Sequence, residues 1–256
     1  MTRDQRVLIT GASGGIGFEL AKLFAADGYQ LVLVARDEER LKVAARSLRE
    51  LGATSVKTFA ADLSRAGAAE ILVDSLGNPH IDILVNNAGY AANGRFTELD
   101  YELELGMVEL NIGTLTGLTK LFVPGMVERK QGWILNVAST AAFQAGPLMS
   151  VYYATKAYVL SFSLGLREEV RKDNVFVTAL CPGPTESRFA NRAGMLGTRL
   201  FRGNVQSAEK VARIGYAALF AGKPFVVTGT LNKAAAFATR FVPRTLAAKL
   251  AMRAQS

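Results

Sequence analysis

Short apolar runs alternate along the chain with longer segments in which apolar residues recur every three or four positions. The short runs are rich in Val, Ile and Leu and are bounded by turn residues, so they predict buried strands. The longer segments predict helices, because a period of about 3.6 places their apolar side chains on one face. The predicted strands cover residues 7–10, 31–35, 55–60, 81–86, 133–138, 175–180 and 225–228.

Strands that alternate with helices in this way indicate βαβ units and a parallel sheet. The strands contain few polar positions, as expected where helices cover both faces of a sheet. The 256 residues contain no evident repeat, low-complexity stretch or linker, and this length fits one large domain. The predicted fold is therefore a single α/β domain with a parallel sheet that helices cover on both faces.

Two segments depart from the alternation. Residues 186–205 combine Arg, Gly and Asn with little periodicity, and irregular segments of this length often cover active sites, so we expect a substrate lid there. Residues 231–256 form a tail rich in alanine and basic residues. Pro243 is expected to divide this tail into two helical pieces, because proline does not fit a helix interior.

The composition favours a globular protein of a reducing compartment. Half of the residues are apolar, which excludes a disordered chain. The single cysteine cannot form an internal disulfide, and one histidine with one cysteine excludes the usual zinc sites, so no metal is expected. The sequence shows neither a signal peptide nor an apolar run near the roughly 18 residues of a membrane span. A cytoplasmic location is expected.

A glycine-rich segment joins the first predicted strand to the first helix. It reads Thr-Gly-Ala-Ser-Gly-Gly-Ile-Gly over residues 10–17. Glycines permit a tight turn and a close approach of the backbone to a pyrophosphate, and a helix N-terminus offers free N–H groups. A simple turn would also use glycines, but the strand–loop–helix context favours nucleotide binding.

The spacing of Gly11, Gly15 and Gly17 resembles the cofactor motif of the short-chain dehydrogenase/reductase family. The other motifs of that family follow in order: Asn-Asn-Ala-Gly at 86–89, Asn111 in a helix, Ser139 after the fifth strand, Tyr-x-x-x-Lys from Tyr152 to Lys156, and Pro182-Gly183 after the sixth strand. The resemblance covers residues 5–230. It implies one NAD(P)-binding domain over residues 1–256, with a Rossmann-like, doubly wound parallel sheet in three αβα layers.

The resemblance also implies the roles of individual residues. Tyr152 would exchange a proton with the reacting oxygen, and Ser139 would hydrogen-bond that oxygen. Lys156 would hold the nicotinamide ribose. Asn111 would help to hold a water molecule that connects Lys156 to solvent. The residues implied to bind the cofactor are Gly11, Ser13, Gly15, Ile16, Gly17, Arg36, Asp62, Leu63, Asn87, Ala88, Gly89, Tyr152, Lys156, Pro182, Gly183 and Thr185.

The acid–base assignment has a physical basis beside the resemblance. Tyr152 and Lys156 are four residues apart in a predicted helix and so share one face. Free tyrosine has a pKa of about 10, and we expect the neighbouring ammonium to lower the pKa of Tyr152. An isolated tyrosine–lysine pair would be interpreted as part of an ordinary surface helix, but the presence of Ser139 favours a catalytic site. Tyr153 is expected to be a packing residue.

The end of the second strand distinguishes two cofactors. An acid there binds the adenosine 2′-hydroxyl of NAD, whereas an arginine accommodates the 2′-phosphate of NADP. Arg36 therefore favours NADP(H), with Ser13 as a second contact, and NAD(H) is the less favoured alternative. Asp37 is expected to cap the helix that follows.

The net charge of +8 is concentrated at the end of the chain. Residues 188–256 carry +11, whereas residues 1–187 carry −3. Three interpretations stay open: a solvated basic surface, attraction of an anionic substrate or carrier such as an acyl-CoA, and peripheral contact with an anionic membrane. The helical pattern argues against the simplest membrane contact, because it does not separate apolar from basic residues after Pro243. Nucleic acid is not expected, since basic and aromatic residues are not interleaved.

Two functions remain open. The first is an NADP(H)-dependent oxidoreductase that interconverts a ketone or aldehyde with an alcohol, with Tyr152 as general acid and base. The second is a non-catalytic NADPH-binding sensor or scaffold on the same fold. Phe143 and residues 146–149 are expected to line an apolar substrate pocket, which favours a lipophilic carbonyl compound, an acyl thioester among them. The resemblance also implies a homodimer or homotetramer.

Overall fold

Seven strands form one sheet in the computed structural model, which describes residues 4–186 and 205–255. They are β1 (Arg6–Thr10), β2 (Gln30–Ala35), β3 (Ser55–Ala60), β4 (Ile83–Asn86), β5 (Gly132–Val137), β6 (Val175–Cys181) and β7 (Phe225–Val227). All neighbouring strands are parallel, in the order β3-β2-β1-β4-β5-β6-β7. Each strand begins and ends within two residues of its predicted position.

Helices connect the strands and follow the sheet. They are α1 (Gly15–Ala26), α2 (Glu38–Glu50), α3 (Ala68–Ser75), α4 (Tyr101–Val108), α5 (Leu115–Glu128), α6 (Ser150–Val170), α7 (Ala208–Phe220), α8 (Thr230–Ala238) and α9 (Arg244–Gln255). Pro243 directly precedes α9, so the predicted division of the tail is confirmed. Of the predicted lid, residues 187–204 lie outside the described residues.

The two faces of the sheet have separate apolar cores. Val7 and Ile9 of β1 pack with side chains of α1, α2 and α7. Leu8, which points to the opposite face, packs with side chains of α3, α5 and α6. Helices therefore cover both faces, and the predicted three-layer, doubly wound fold is confirmed.

The strand order reverses between β1 and β4, which are neighbours in the sheet. Ile9 is paired with Leu33 of β2 on one side and with Val85 of β4 on the other. Connections that leave these strands in opposite directions open a crevice at their carboxyl ends. The glycine-rich segment after β1 and residues 87–89 after β4 meet at this crevice.

The helix expected around Asn111 is not a regular α-helix throughout. Between α4 and α5 the chain forms a π-helical segment, Glu109–Thr114, which contains Asn111. Such wide turns are rare and are enriched at functional sites.

Within the described residues, no helix is both long and apolar enough to cross a membrane.

A buried carboxylate in α4 has an unsatisfied oxygen. Glu104 is buried, and its Oε2 atom has no hydrogen-bond partner among the described residues. Burial raises the pKa of Glu104 above its usual value. The folded state therefore binds the proton of the Glu104 carboxyl group more tightly than the unfolded state does. Ionisation of Glu104 thus destabilises the fold at pH values above the usual pKa of glutamate, and this cost is absent below that pKa.

We therefore expect Glu104→Gln to raise the free energy of unfolding at neutral pH by about 1 kcal/mol. The difference from the wild type should disappear as the pH falls through the usual range of glutamate. Chemical denaturation at a series of pH values measures both effects. Glu102→Gln changes an exposed glutamate of the same helix and should bring no gain. A Glu104→Gln variant less stable than the wild type at neutral pH would contradict this account.

Candidate active site

The crevice at the carboxyl ends of the strands is a cleft of about 590 Å³. It extends from the loop after β2, past the glycine-rich segment, to the loop after β6. The predicted site residues that line it are Gly11, Ser13, Gly15, Ile16, Arg36, Asp62, Leu63, Asn87, Ala88, Gly89, Ser139, Tyr152, Lys156, Pro182, Gly183 and Thr185. Gly17 and Asn111 lie behind its wall.

The glycine-rich segment is held against the loop after β4 by hydrogen bonds. The Thr10 hydroxyl oxygen accepts the backbone N–H groups of Asn87 and Ala88, each at 3.0 Å. The Asn87 side-chain amide donates to the Thr10 carbonyl oxygen at 2.9 Å. A β-carbon on Gly17 would lie 2.3 Å from that amide nitrogen, so the close contact of the two loops requires glycine.

The same segment fits the phosphates of a dinucleotide. Gly11 and Gly15 have φ angles of +66° and +57°, a conformation that favours glycine. No side chain caps α1 at Gly14, and Gly14, Gly15 and Ile16 line the cleft. The first N–H groups of α1 therefore have no partner within the helix and, with the helix dipole, favour an anion.

Two arginines line the end of the cleft at β2. Arg36 follows the strand, and Arg40 lies in the first turn of α2. The Asp37 carboxylate accepts the Arg40 backbone N–H at 3.1 Å, so its predicted role as the cap of α2 is confirmed. The guanidinium groups of Arg36 and Arg40, together with Ser13, suit the 2′-phosphate of NADP.

Ser139 and Tyr152 meet in the wall of the cleft. Ser139 begins a short 3₁₀ helix, Thr140–Phe143, and its hydroxyl oxygen accepts the Ala141 N–H at 3.1 Å. This bond orients the hydroxyl group, and a hydrogen bond joins the side chains of Ser139 and Tyr152. Tyr152, the predicted general acid and base, is thus next to Ser139, which is predicted to hydrogen-bond the substrate oxygen.

The pKa of Tyr152 differs from the sequence-based expectation. Burial raises it to about 12, and the hydrogen bond with Ser139 offsets this rise only in part. In the protein alone, desolvation of the phenolate therefore sets the direction of the shift, and the lowering expected from Lys156 does not occur. Tyr152 carries its proton at neutral pH, as a proton donor must.

Lys156 lies beneath the Tyr152 ring in a buried position. Its Nζ is 5.8 Å from the ring centroid and donates a hydrogen bond to the Val137 carbonyl oxygen at 2.8 Å. The residue is only 5% exposed, and burial lowers its pKa to about 8. Lys156 is thus a cation that the protein holds at the floor of the cleft at neutral pH.

Asn111 connects three parts of the site. Its amide nitrogen donates to the Tyr90 carbonyl oxygen at 3.1 Å and to the Thr155 hydroxyl at 3.0 Å. Its Oδ1 accepts the Tyr90 N–H at 3.2 Å. Both amide protons are therefore used, and a water on Asn111 would bind at Oδ1. A β-carbon on Gly89 would lie 2.9 Å from this oxygen.

Sequence reasoning missed three residues of the site. Thr155 supports Asn111 and donates to the Tyr152 carbonyl oxygen, and nothing in the sequence marks it. Tyr90 lines the cleft directly after the Asn-Asn-Ala-Gly segment. Arg40 carried a signal, since a basic residue in the first turn of a helix opposes the helix dipole and suggests an anion nearby.

The expected substrate-pocket residues divide between two cavities. Met149 lines the cleft, but Phe143, Gly146 and Pro147 surround a second cavity of about 510 Å³, whose far wall includes Arg244 and Ala247 of α9. These three residues therefore lie apart from Tyr152 in the cleft, and their expected place in the substrate pocket stays a prediction. Tyr153, expected only to pack, borders both cavities and separates them, because its ring lies against Gly146.

The only histidine is far from the cleft. His80 precedes β4, at the amino ends of the strands, and hydrogen-bonds the Asp82 carboxylate at 2.7 Å. Cys181 is buried, and burial raises the pKa of its thiol to about 12. Over residues 4–186 and 205–255, no three potential metal ligands come together.

Comparison with known proteins identifies the same family that the sequence motifs resemble. The family model described as short chain dehydrogenase matches residues 5–194. A very-long-chain 3-oxoacyl-CoA reductase of Laccaria bicolor is 38% identical over 177 residues, 68% of this chain and 52% of that protein, so the chain spans about half the length of this relative. A putative ketoacyl reductase of Streptomyces coelicolor is 36% identical over 74% of each chain.

Among solved structures, a short-chain dehydrogenase from Sphingobium yanoikuyae in complex with NADPH superimposes with a TM-score of 0.82. It is 31% identical, and the match covers 94% of this chain and 97% of that one. An actinorhodin polyketide ketoreductase with NADPH gives a TM-score of 0.79 at 28% identity, over 89% and 97% of the two chains.

Proposed function

Since the chain belongs to the short-chain dehydrogenase/reductase family and is an oxidoreductase, we propose that it interconverts the carbonyl group of a lipophilic ketone or aldehyde with the corresponding alcohol. Its cofactor is NADP(H), in keeping with the NADPH and NADP complexes of similar structures. The observation that carries the proposal is that Ser139, Tyr152 and Lys156 line the same cleft, with the Lys156 Nζ 5.8 Å from the centre of the Tyr152 ring.

The chain has a place for each part of the cofactor. The pyrophosphate would lie on the N-terminus of α1, and the adenosine 2′-phosphate would lie between Arg36 and Arg40. Lys156 would hold the ribose next to the nicotinamide. When bound, NADP(H) supplies or accepts the hydride.

In the direction of reduction, Tyr152 donates the proton of its hydroxyl group to the substrate oxygen. The pKa of about 12 ensures that this proton is present at neutral pH. The charge of Lys156 then favours the phenolate that Tyr152 becomes. In the direction of oxidation the same phenolate removes the proton of the alcohol.

Ser139 stabilises the negative charge that develops on the substrate oxygen. Its hydroxyl group is fixed by the Ala141 N–H, so it is oriented before the substrate binds. Asn111 and Thr155 act as positioning residues, because their hydrogen bonds join the π-helical segment to α6, which carries Tyr152 and Lys156.

The wall around Tyr152 is mostly apolar, with Ala141, Met149 and Tyr153 packed in the same cluster as Tyr152. Such a wall suits an alkyl or acyl chain better than a sugar. The relatives named as ketoacyl and very-long-chain 3-oxoacyl-CoA reductases add support for one class, the 3-oxoacyl thioesters. We therefore favour a 3-oxoacyl thioester or a similar lipophilic ketone as substrate.

The direct test is the oxidation of NADPH by the purified chain, measured with 3-oxoacyl-CoA substrates of increasing length, neutral alkyl ketones and aldose sugars. We expect kcat/KM to rise with acyl length and to be lowest for the sugars, because each buried methylene is worth about 0.8 kcal/mol. Each comparison is repeated at low and high salt. A KM that rises with salt for acyl-CoA and not for neutral ketones would connect the basic residues with the substrate.

Two results would contradict the proposal. Faster reduction of sugars than of lipophilic ketones would exclude the substrate class. Binding of NADPH without turnover of any carbonyl compound would instead favour a sensor or scaffold on this fold.

A further inference from the structure

Helices α8 and α9 and the turn between them expose several large apolar side chains together with basic ones. Phe241 is 75% exposed, Leu231 71% and Phe237 58%. We call the exposed large apolar and basic residues of this region the C-terminal patch: Leu231, Lys233, Phe237, Arg240, Phe241, Arg244, Leu246, Lys249, Leu250, Met252 and Arg253. Large exposed apolar groups that cluster in this way usually mark an interaction surface.

The structure changes the meaning of the helical pattern in α9. Ala247 and Ala251 are buried, so the alanine side of the helix packs on the domain. Leu246 and Leu250 form one exposed stripe, and Lys249 and Arg253 form another next to it. The mixture of leucine and cations that argued against membrane contact is therefore confined to the outward side.

Aromatic and basic side chains are also in contact within the patch. The rings of Phe237 and Phe241 lie 5.3 Å apart, and the Arg240 guanidinium lies 5.9 Å from the centre of the Phe237 ring. Lys233 is exposed one helical turn before Phe237. Long basic side chains can extend along apolar neighbours and keep their charge at a polar boundary, so this arrangement suits a surface with an apolar interior and anionic head groups.

The positive charge of the C-terminal patch favours an anionic partner. Residues 230–255 contain five basic residues and no acidic residue. A second copy of the same patch would bring like charges together, which disfavours self-association at this surface. An anionic surface complements it, and the exposed phenylalanine and leucine side chains need an apolar phase to enter.

We propose that the C-terminal patch docks the protein on an anionic lipid bilayer. The leucine and phenylalanine side chains enter the boundary between head groups and acyl chains, and the lysine and arginine side chains contact lipid phosphates and carboxylates. Docking requires neither a spanning helix nor NADPH. The wall of the second cavity includes Arg244 and Ala247, so the docked surface is adjacent to the cavity that Tyr153 separates from the cleft.

The test is co-sedimentation of the whole chain with vesicles of equal parts phosphatidylcholine and phosphatidylserine, and with vesicles of phosphatidylcholine alone. The mixed vesicles should bind the protein, and high salt should release it. Lys249→Gln combined with Arg253→Gln should weaken binding about 30-fold, since each cation near the surface contributes about fivefold. Phe241→Ser should weaken it about 10-fold.

Matched controls separate the patch from general charge and hydrophobicity. Lys57→Gln combined with Lys172→Gln removes two exposed cations elsewhere, and Phe96→Ser removes a phenylalanine that is 68% exposed. Both controls should bind the mixed vesicles as the wild type does. Unchanged thermal unfolding shows that each variant is folded.

Several outcomes would overturn the proposal. The wild type could fail to bind the mixed vesicles, or the controls could lose binding as much as the patch variants. A third such outcome is a wild type that forms dimers in sedimentation analysis which Phe241→Ser dissociates, without vesicle binding. Binding to duplex nucleic acid, again without vesicle binding, would assign the patch to a different partner.

Discussion

Tyr152→Phe is expected to lower kcat for carbonyl reduction by about 10²- to 10⁴-fold, the range by which a positioned general acid accelerates a reaction. The substitution removes the phenolic hydroxyl and keeps the ring, so the packing against Tyr153 and the shape of the cleft should be retained. The Kd for NADPH, measured by fluorescence, should therefore stay within about twofold of the wild-type value.

Tyr158→Phe is the matched control for this variant. Tyr158 lies on the same helix, its hydroxyl hydrogen-bonds Thr116 at 2.9 Å, and it does not line the cleft. This variant should keep the wild-type kcat. Comparable turnover by Tyr152→Phe and the wild type would refute the assignment of the proton donor.

The pH dependence tests the same assignment from another side. Burial keeps Tyr152 protonated up to a pKa of about 12, so alcohol oxidation, which needs the phenolate, should accelerate as the pH rises. Reduction, which needs the proton, should show no such rise. The acceleration should be absent in Tyr152→Phe, and its persistence there would indicate a different base.

Arg36→Asp is expected to reverse the preference between the two cofactors. The variant replaces a cation that can bind the 2′-phosphate with a carboxylate that repels it and can accept from the 2′-hydroxyl of NADH. Loss of one charge-assisted hydrogen bond is worth about 2 to 3 kcal/mol, so the ratio of kcat/KM for NADPH to that for NADH should fall by about 100-fold.

Two further variants make this result specific. Arg46→Asp makes the same change of charge on α2, at an exposed position that does not line the cleft, and should leave the ratio unchanged. Arg40→Gln should raise KM for NADPH while the value for NADH stays the same, because Arg40 lines the cleft beside Arg36. An unchanged ratio in Arg36→Asp would show that Arg36 does not select the cofactor.

The fold was predictable because its signals are local and strong. Each strand is a buried apolar run bounded by turn residues, and the sheet order follows from parallel connections through helices. The cofactor loop was predictable for the same reason. Gly17, for example, sits where any side chain would meet the Asn87 amide.

Other features depend on contacts between distant segments, which periodicity does not record. The π-helical turn at Asn111 is joined by hydrogen bonds to Tyr90, in the loop after β4, and to Thr155, on α6. The pKa of Tyr152 was expected to fall because Lys156 is four residues away, but burial, a property of the packed domain, raises it. The outward side of α9 likewise depends on the packed domain, because the burial of Ala247 and Ala251 determines which side faces solvent.

Transfer of deuterium from cofactor to product tests the central claim most directly. The chain is incubated with a lipophilic 3-oxoacyl thioester and NADPH that carries deuterium at the transferable position of the nicotinamide, and the product is examined by mass spectrometry. Hydride transfer to a carbonyl group predicts an alcohol with deuterium on the carbinol carbon, formed by the wild type and Tyr158→Phe and nearly absent with Tyr152→Phe. An alcohol without deuterium, or no alcohol from any carbonyl compound, would contradict the claim.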